Sequence, residues 1–155
     1  MKMNDFLDTV RGFDGALVVV PGRGGTLPEI AWGDAFCFYA PDGQMPQTVQ
    51  PYATAVTKDY PGDTASRLGG GRWRLNINAG RAAFTELTGE QPRSTTASWD
   101  YAAADTVLPH PVYGELGWIC IVTPGPRTRG TALQLLRDAH AAARARAERR
   151  SGTSG

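Results

Sequence analysis

Histidine and cysteine are scarce in this sequence, and the shortage excludes several kinds of site. The chain has 155 residues but only two histidines, His110 and His140, which are too few for a histidine-rich metal centre. The two cysteines, Cys37 and Cys120, each lie in an apolar, strand-like run. Free cysteine packs as a small hydrophobic residue, so we expect two buried, reduced thiols, neither a disulfide nor a metal site.

Long hydrophobic runs and an excess of one charge are also lacking. No apolar segment approaches the ~20 residues of a membrane-spanning helix, and the first residues lack the apolar core of a signal peptide. We therefore expect a cytoplasmic protein with no membrane partner. The 16 Lys+Arg against 15 Asp+Glu give a net charge of +1. This charge provides no broad positive field, which disfavours a nucleic-acid partner.

Common cofactor and catalytic motifs are absent as well. Residues 22–26 are rich in glycine but lack both the Gly-Lys-Ser/Thr of a phosphate loop and the third glycine of a dinucleotide fingerprint. Neither Cys-x-x-Cys, His-Glu-x-x-His nor Gly-x-Ser-x-Gly occurs. The sequence therefore predicts no cofactor, and it leaves open whether the protein is an enzyme.

What the sequence does contain suits one α+β domain over residues 1–150, followed by a disordered tail at 151–155. Hydrophobic and turn patterns predict helices at 5–13, 81–87 and 128–149, and strands at 16–20, 29–32, 35–40, 52–58, 73–78 and 118–123. Gly33-Asp34 suits a tight hairpin turn between two of these strands, and 90–106 reads as loop. The element order predicts a mainly antiparallel sheet of five to six strands with helices packed on one face.

The most unusual segment is Leu108–Gly114, where two prolines fix the backbone on either side of His110. An imidazole held this way could be a preorganised acid or base near neutral pH, with Tyr113 beside it. The alternative is that the prolines shape a loop edge and His110 only bonds backbone. His140 lies among alanines and leucines of the last helix, and we interpret it as a packing or surface residue.

A second group of polar residues lies at strand positions. Lys58, Asp59 and Tyr60 leave the end of a predicted strand together, although a solvated strand end with a local ion pair is the alternative. Asn76 and Asn78 are two residues apart in another strand, so both project from the same face of the sheet. If that face is covered, their amides need partners, and lining a polar pocket is one way to have them.

These residues predict one pocket for small-molecule binding or processing. The catalytic candidates are His110, Tyr113, Lys58 and Asp59, and the ligand-binding candidates are Asn76, Asn78, Tyr60, Trp32 and Trp118. For an enzyme they suit cofactor-independent proton transfer, with His110 as acid or base, Tyr113 or Lys58 polarising an oxygen and Asp59 orienting a cation.

Two alternative functions stay open. One is a DNA-binding module that uses the arginine-rich end of the last helix, formed by Arg144, Arg146, Arg149 and Arg150. Cations there also suit the negative end of the helix dipole, which is a purely structural role. The other is a protein-interaction domain without a ligand pocket.

Several of these segments also resemble a known family. The stretches Glu29–Asp34, Ala53–Pro61, Arg74–Asn78 and His110–Gly114, with Gly117-Trp118 and Ala139-His140, look like an actinobacterial family catalogued as domain of unknown function 6194. The resemblance covers almost the whole chain. The order of elements is also similar to that of the MmcQ/YjbR-like domains, whose name carries a DNA-binding label. This second resemblance implies an α+β sheet with helices. Neither resemblance supplies a catalytic role for a residue.

Overall fold

The computed structural model describes residues 2–94 and 98–153. It contains three α-helices, at Met3–Arg11 (α1), Gly80–Thr88 (α2) and Arg129–Thr153 (α3). Its strands are Ala16–Val19 (β1), Ala35–Tyr39 (β2), Ala53–Val56 (β3), Arg74–Asn78 (β4), Val107–Pro109 (β5) and Trp118–Val122 (β6). The helix α3 includes the first three residues of the predicted tail, while residues 154 and 155 lie outside the described part of the chain.

The six strands form one sheet in the order β1-β2-β3-β4-β6-β5, and every neighbouring pair is antiparallel. This confirms the predicted α+β class and the predicted number of strands. The sheet has two different faces because successive side chains of a strand point in opposite directions. In β4, Leu75 and Ile77 belong to the hydrophobic core, whereas Arg74, Asn76 and Asn78 point to the opposite face.

The helices cover only the apolar face. The helix α1 packs on β1, α3 on β2 and β4, and α2 on β5 and β6. Phe6, Leu7 and Val10 of α1 are all buried, at the helical spacing that the sequence predicted. At the end of α2, Gly89 adopts φ 77°, a left-handed conformation that suits a glycine helix cap. The second face of the sheet is therefore left to loops.

Two predictions about strands are wrong. Residues 29–32 form a 3-10 turn at Glu29–Ala31 and no strand, so Gly33-Asp34 is not a hairpin turn. The backbone amides of Ala31, Trp32 and Asp34 donate to the carbonyl oxygens three residues before them, so local turns replace strand pairing. The side chain of Asp34 is fully buried and accepts hydrogen bonds from the loop after β3. The prediction also missed β5, a three-residue edge strand that ends in proline. So short a strand shows no alternation that a sequence pattern can detect.

The two cysteines lie on opposite faces of the sheet and are both free and buried, as predicted. Cys37 belongs to the core under the helices. Cys120 points to the other face, where its thiol donates a hydrogen bond to the carbonyl oxygen of Pro109 at 3.6 Å. Burial raises the pKa of each thiol to about 12. Both groups are therefore neutral thiols at physiological pH.

Candidate functional site

The face of the sheet that the helices leave uncovered carries a cavity of about 790 Å³. Its base includes Phe36 of β2, Thr54 of β3 and Asn76 of β4, which pair with one another across the sheet. Loops supply most of the walls, and α3 contributes Arg146. The remaining lining residues are Val49, Gln50, Pro51, Val56, Tyr60, Asp63, Asn78, His110, Tyr113, Leu116, Trp118 and Arg146.

A buried ion pair lies at the base of this cavity. Arg74 is only 1% exposed, and its guanidinium forms a bidentate pair with Asp63, with Nη1–Oδ1 3.0 Å and Nη2–Oδ2 2.5 Å. Nη1 also donates to Ser66 Oγ at 2.9 Å, and Nε donates to Asn76 Oδ1 at 2.8 Å. Asn76 in turn donates to Thr54 Oγ1 at 2.9 Å. The network therefore fixes the side chains of two strands and of the loop after β3.

The pKa of Asp63 reflects this environment. Burial of the carboxyl opposes its ionisation, but the hydrogen bonds and the charge of Arg74 outweigh that effect and hold the pKa of Asp63 below its usual range. The pair is consequently ionised at neutral pH. Burying an ion pair costs desolvation free energy that the attraction between the charges does not reliably recover. Such a pair beside a cavity is a candidate for function.

His110 lies next to this pair and is 4% exposed. Its Nδ1 accepts hydrogen bonds from the backbone amides of Val112 and Tyr113, both at 3.0 Å. Its Nε2 lies 3.3 Å from Nη2 of Arg74. Burial, followed by the positive charge of Arg74, lowers the pKa of His110 to about 4 against the opposing effect of Asp63. The imidazole is therefore neutral at physiological pH.

Two aromatic rings pack near His110. The ring of Tyr113 is 4.9 Å from that of His110, and the ring of Trp118 is 6.5 Å away. Tyr113 is 51% exposed, so its phenol is accessible at the rim of the cavity. The rings of Tyr113 and Trp118 are themselves 6.4 Å apart, so the neutral imidazole belongs to a cluster of three rings.

The loop after β3 is organised by Asp34. This carboxylate accepts hydrogen bonds from the backbone amide of Thr57 at 2.8 Å, from the hydroxyl of Thr57 at 2.7 Å and from the phenol of Tyr60. Burial and the contact with Asp34 raise the pKa of Tyr60. Lys58 Nζ lies 3.1 Å from Asp34 Oδ1 and donates to the carbonyl oxygen of Trp32 at 2.8 Å. The polar groups of this loop thus bind the segment before β2.

Three of the nine predicted site residues do not line the cavity. Lys58 and Trp32 belong to the Asp34 cluster, and Asp59 accepts a hydrogen bond from the backbone amide of Leu68 at 2.9 Å. The predicted gathering of Lys58 and Asp59 with His110 around one pocket is therefore not what the structure shows. The six predicted residues that do line it are His110, Tyr113, Asn76, Asn78, Tyr60 and Trp118.

Sequence reasoning missed Arg74 and Asp63, the two charges at the base of the site. A signal for Arg74 was available, because it precedes Asn76 and Asn78 at two-residue spacing and so shares their face. Asp63 gave no such signal, since it lies in an irregular loop between turn residues.

His140 has a structural role. Its Nδ1 lies 2.9 Å from the hydroxyl of Tyr52, and its Nε2 lies 2.8 Å from the carbonyl oxygen of Asp14. Both ring nitrogens are thus occupied within the interface between α3 and the sheet. Farther along α3, Arg146 reaches the cavity. Burial, followed by the positive charges of Arg150 and Arg149, lowers the pKa of its guanidinium.

Residues 2–94 and 98–153 contain neither a metal-binding cluster nor a membrane-spanning helix. No three His, Cys, Asp or Glu side chains in this part of the chain are grouped closely enough to hold a metal ion. No helix within it has the length and hydrophobicity needed to cross a membrane.

Comparison with known proteins identifies a family and no activity. A family model described as a family of unknown function (DUF6194) matches residues 1–152. No curated protein and no solved structure matches this chain.

Proposed function

We propose that this chain, which belongs to the family of unknown function DUF6194, binds a small molecule in the cavity on the helix-free face of its sheet. The observation that carries the proposal is the cavity itself, whose volume of about 790 Å³ lies within the range of ligand pockets. That range runs from about 300 to 1,000 Å³ for small-molecule sites.

The apolar part of the cavity lining supports a ligand with an apolar body. Phe36, Pro51, Val56, Leu116 and Trp118 all line the cavity, and Leu116 is 64% exposed at its rim. Ligand pockets combine such apolar walls with a few convergent polar groups. This cavity likewise combines an exposed apolar rim with polar groups at its base.

The polar base supports a ligand with one polar end. Two cations, Arg74 and Arg146, and one carboxylate, Asp63, lie at or directly beneath the cavity surface, and His110 is neutral. The local charge is therefore +1, which favours an anionic group over a cationic one.

Processing of the ligand, as the sequence predicted, is a further part of the proposal. Within the cavity the groups for it are His110 and Tyr113, because Lys58 and Asp59 are engaged elsewhere. A neutral His110 with Nδ1 held by two backbone amides is better suited to donating a hydrogen bond to a substrate oxygen than to removing a proton.

An NMR screen of the ¹⁵N-labelled protein against small carboxylates, carbonyl compounds, amines and neutral aromatics tests the proposal. We expect at least one compound to shift resonances of cavity residues. Asn78→Trp, which fills the cavity from the end of β4, should abolish these shifts. The matched control is Asn4→Trp, at an exposed position of α1, and it should leave them unchanged. The proposal is wrong if no compound binds or if binding survives Asn78→Trp.

An actinobacterial source, a cytoplasmic location and a relation to MmcQ/YjbR-like domains remain predictions from the sequence. The absence of tight binding to duplex DNA also remains a prediction, because a net charge of +1 leaves few phosphates to neutralise.

A further inference from the structure

The hydrogen-bond donors around His110 outnumber its acceptors. Three N–H groups point at its ring, namely the backbone amides of Val112 and Tyr113 at Nδ1 and the guanidinium of Arg74 at Nε2. A neutral imidazole has one acceptor nitrogen, and its other nitrogen carries a proton. One ring nitrogen must therefore carry an N–H that points at another N–H group.

Geometry decides which edge this is. Two backbone amides reach Nδ1 at 3.0 Å, whereas only one N–H approaches Nε2, and its distance is 3.3 Å. Placing the proton on Nδ1 would lose two short hydrogen bonds to keep one long one. The imidazole therefore carries its proton on Nε2, a choice set by the hydrogen bonds at the other nitrogen.

This tautomer leaves two donors without an acceptor at the same place. Nη2 of Arg74 gives one proton to Asp63, and its second proton faces the Nε2–H of His110. The other three guanidinium protons are used by Asp63, Ser66 and Asn76. A buried donor without an acceptor is destabilising, so an oxygen atom that accepts hydrogen bonds from both groups is favoured.

We infer that the cavity recognises a small molecule with an apolar body and a carboxylate head, whose oxygen accepts hydrogen bonds from Nε2 of His110 and Nη2 of Arg74. This inference rests on the proposed function and specifies its ligand. A carboxylate is favoured over a neutral carbonyl because the groups around the cavity sum to +1. A cationic head is disfavoured by the same net charge, and the carboxylate of Asp63 is already paired with Arg74 through both of its oxygens.

Three probes with one phenyl body and different heads test the inference: 3-phenylpropionate, 3-phenylpropylamine and propylbenzene. Titrations followed by NMR should show the carboxylate binding at least about tenfold more tightly than either of the others, the effect of one hydrogen bond to a charged group. Equal or tighter binding of the amine or of propylbenzene overturns the inference, as does the absence of binding by the carboxylate.

The variant His110→Asn separates the donor from the turn. Its side-chain oxygen can replace Nδ1 as acceptor for the amides of Val112 and Tyr113, but nothing replaces the Nε2–H. The carboxylate should bind about tenfold more weakly to this variant, because only Arg74 then donates to its oxygen, whereas the affinity for propylbenzene should change much less. An affinity for 3-phenylpropionate that is unchanged in a folded His110→Asn protein refutes the role of His110.

A second measurement covers the case in which His110→Asn does not fold. The ring ¹⁵N resonances of the unmodified protein report which nitrogen carries the proton, and they should show the Nε2–H tautomer with and without 3-phenylpropionate. A proton on Nδ1 overturns the inference. Failure of this inference can be distinguished from failure of the proposed function. If the carboxylate head gives no advantage but other compounds bind and lose binding in Asn78→Trp, the proposed function stands and only the inference is wrong.

Discussion

Removing Arg74 should destabilise the protein more than removing any surface arginine. Arg74→Met keeps an apolar side chain of similar length but leaves Asp63 without its bidentate partner, and that carboxylate is only 15% exposed. The side chains of Ser66 and Asn76 lose a donor at the same time. Breaking a buried pair from one side typically costs about 3–5 kcal/mol.

The size of this effect can be compared with the total stability. A domain of this kind has a free energy of unfolding of about 5–15 kcal/mol, so the variant should lose a large fraction of it. A loss of about 3–5 kcal/mol corresponds to a decrease in Tm of about 6–20 °C for a chain of this length. Urea unfolding followed by fluorescence of the four tryptophans measures the change directly.

The matched control is Arg144→Met. Arg144 lies 3.3 Å from Asp14, but the two side chains are 47% and 88% exposed. Exposed pairs contribute about 0–1 kcal/mol, so this variant should unfold almost like the unmodified protein. The argument also predicts that Asp63→Asn partly rescues Arg74→Met, because it removes the unpaired buried charge. The reasoning is refuted if Arg74→Met costs no more than Arg144→Met, or if the double variant is less stable than Arg74→Met alone.

Three further predictions concern pH dependence and thiol reactivity. Because the pKa of His110 is lowered to about 4 in the folded state, the unfolded chain binds the extra proton as the pH falls from about 6.5 to 4. The free energy of unfolding should therefore decrease by up to about 1.4 kcal/mol per pH unit in that window. Urea unfolding at several pH values should show a weaker dependence of this free energy on pH for His110→Asn, and an unchanged dependence would contradict the lowered pKa of His110. Hydrogen bonds from Thr128, Gly125 and Arg127 outweigh desolvation and hold the pKa of Asp105 at about 2, so this carboxylate stabilises the fold above pH ~4 and less as the pH falls towards 2. Asp105→Asn should thus lower Tm at neutral pH and progressively less in acid, and an effect that does not depend on pH would show that the charge is irrelevant. Asp105→Ala should lower Tm further, because residue 105 has a φ of 51°, which alanine adopts less readily than aspartate or asparagine. Finally, Cys37 and Cys120 should not react with a thiol reagent in the native protein and should both react in urea, and labelling of either in the folded state would contradict their burial.

The local pattern of the sequence was sufficient for most of the secondary structure. Hydrophobic spacing predicted the helix that buries Phe6, Leu7 and Val10, and strand alternation predicted that Asn76 and Asn78 share a face. These features depend on the 3.6-residue and two-residue periods of the backbone, which any sequence window reveals. The same alternation could have added Arg74 to the candidate site.

Only the tertiary structure decided which loops meet over that face. Lys58 and Tyr60 are two residues apart, yet the ammonium group turns to Asp34 and Trp32, whereas Tyr60 also reaches the cavity. The ion pair between Arg74 and Asp63 joins a strand to an irregular loop, and His110 arrives from a segment 36 residues beyond Arg74. Sequence periods carry no information about such pairings, because a buried charge is satisfied by whichever partner the folded chain brings within hydrogen-bonding distance.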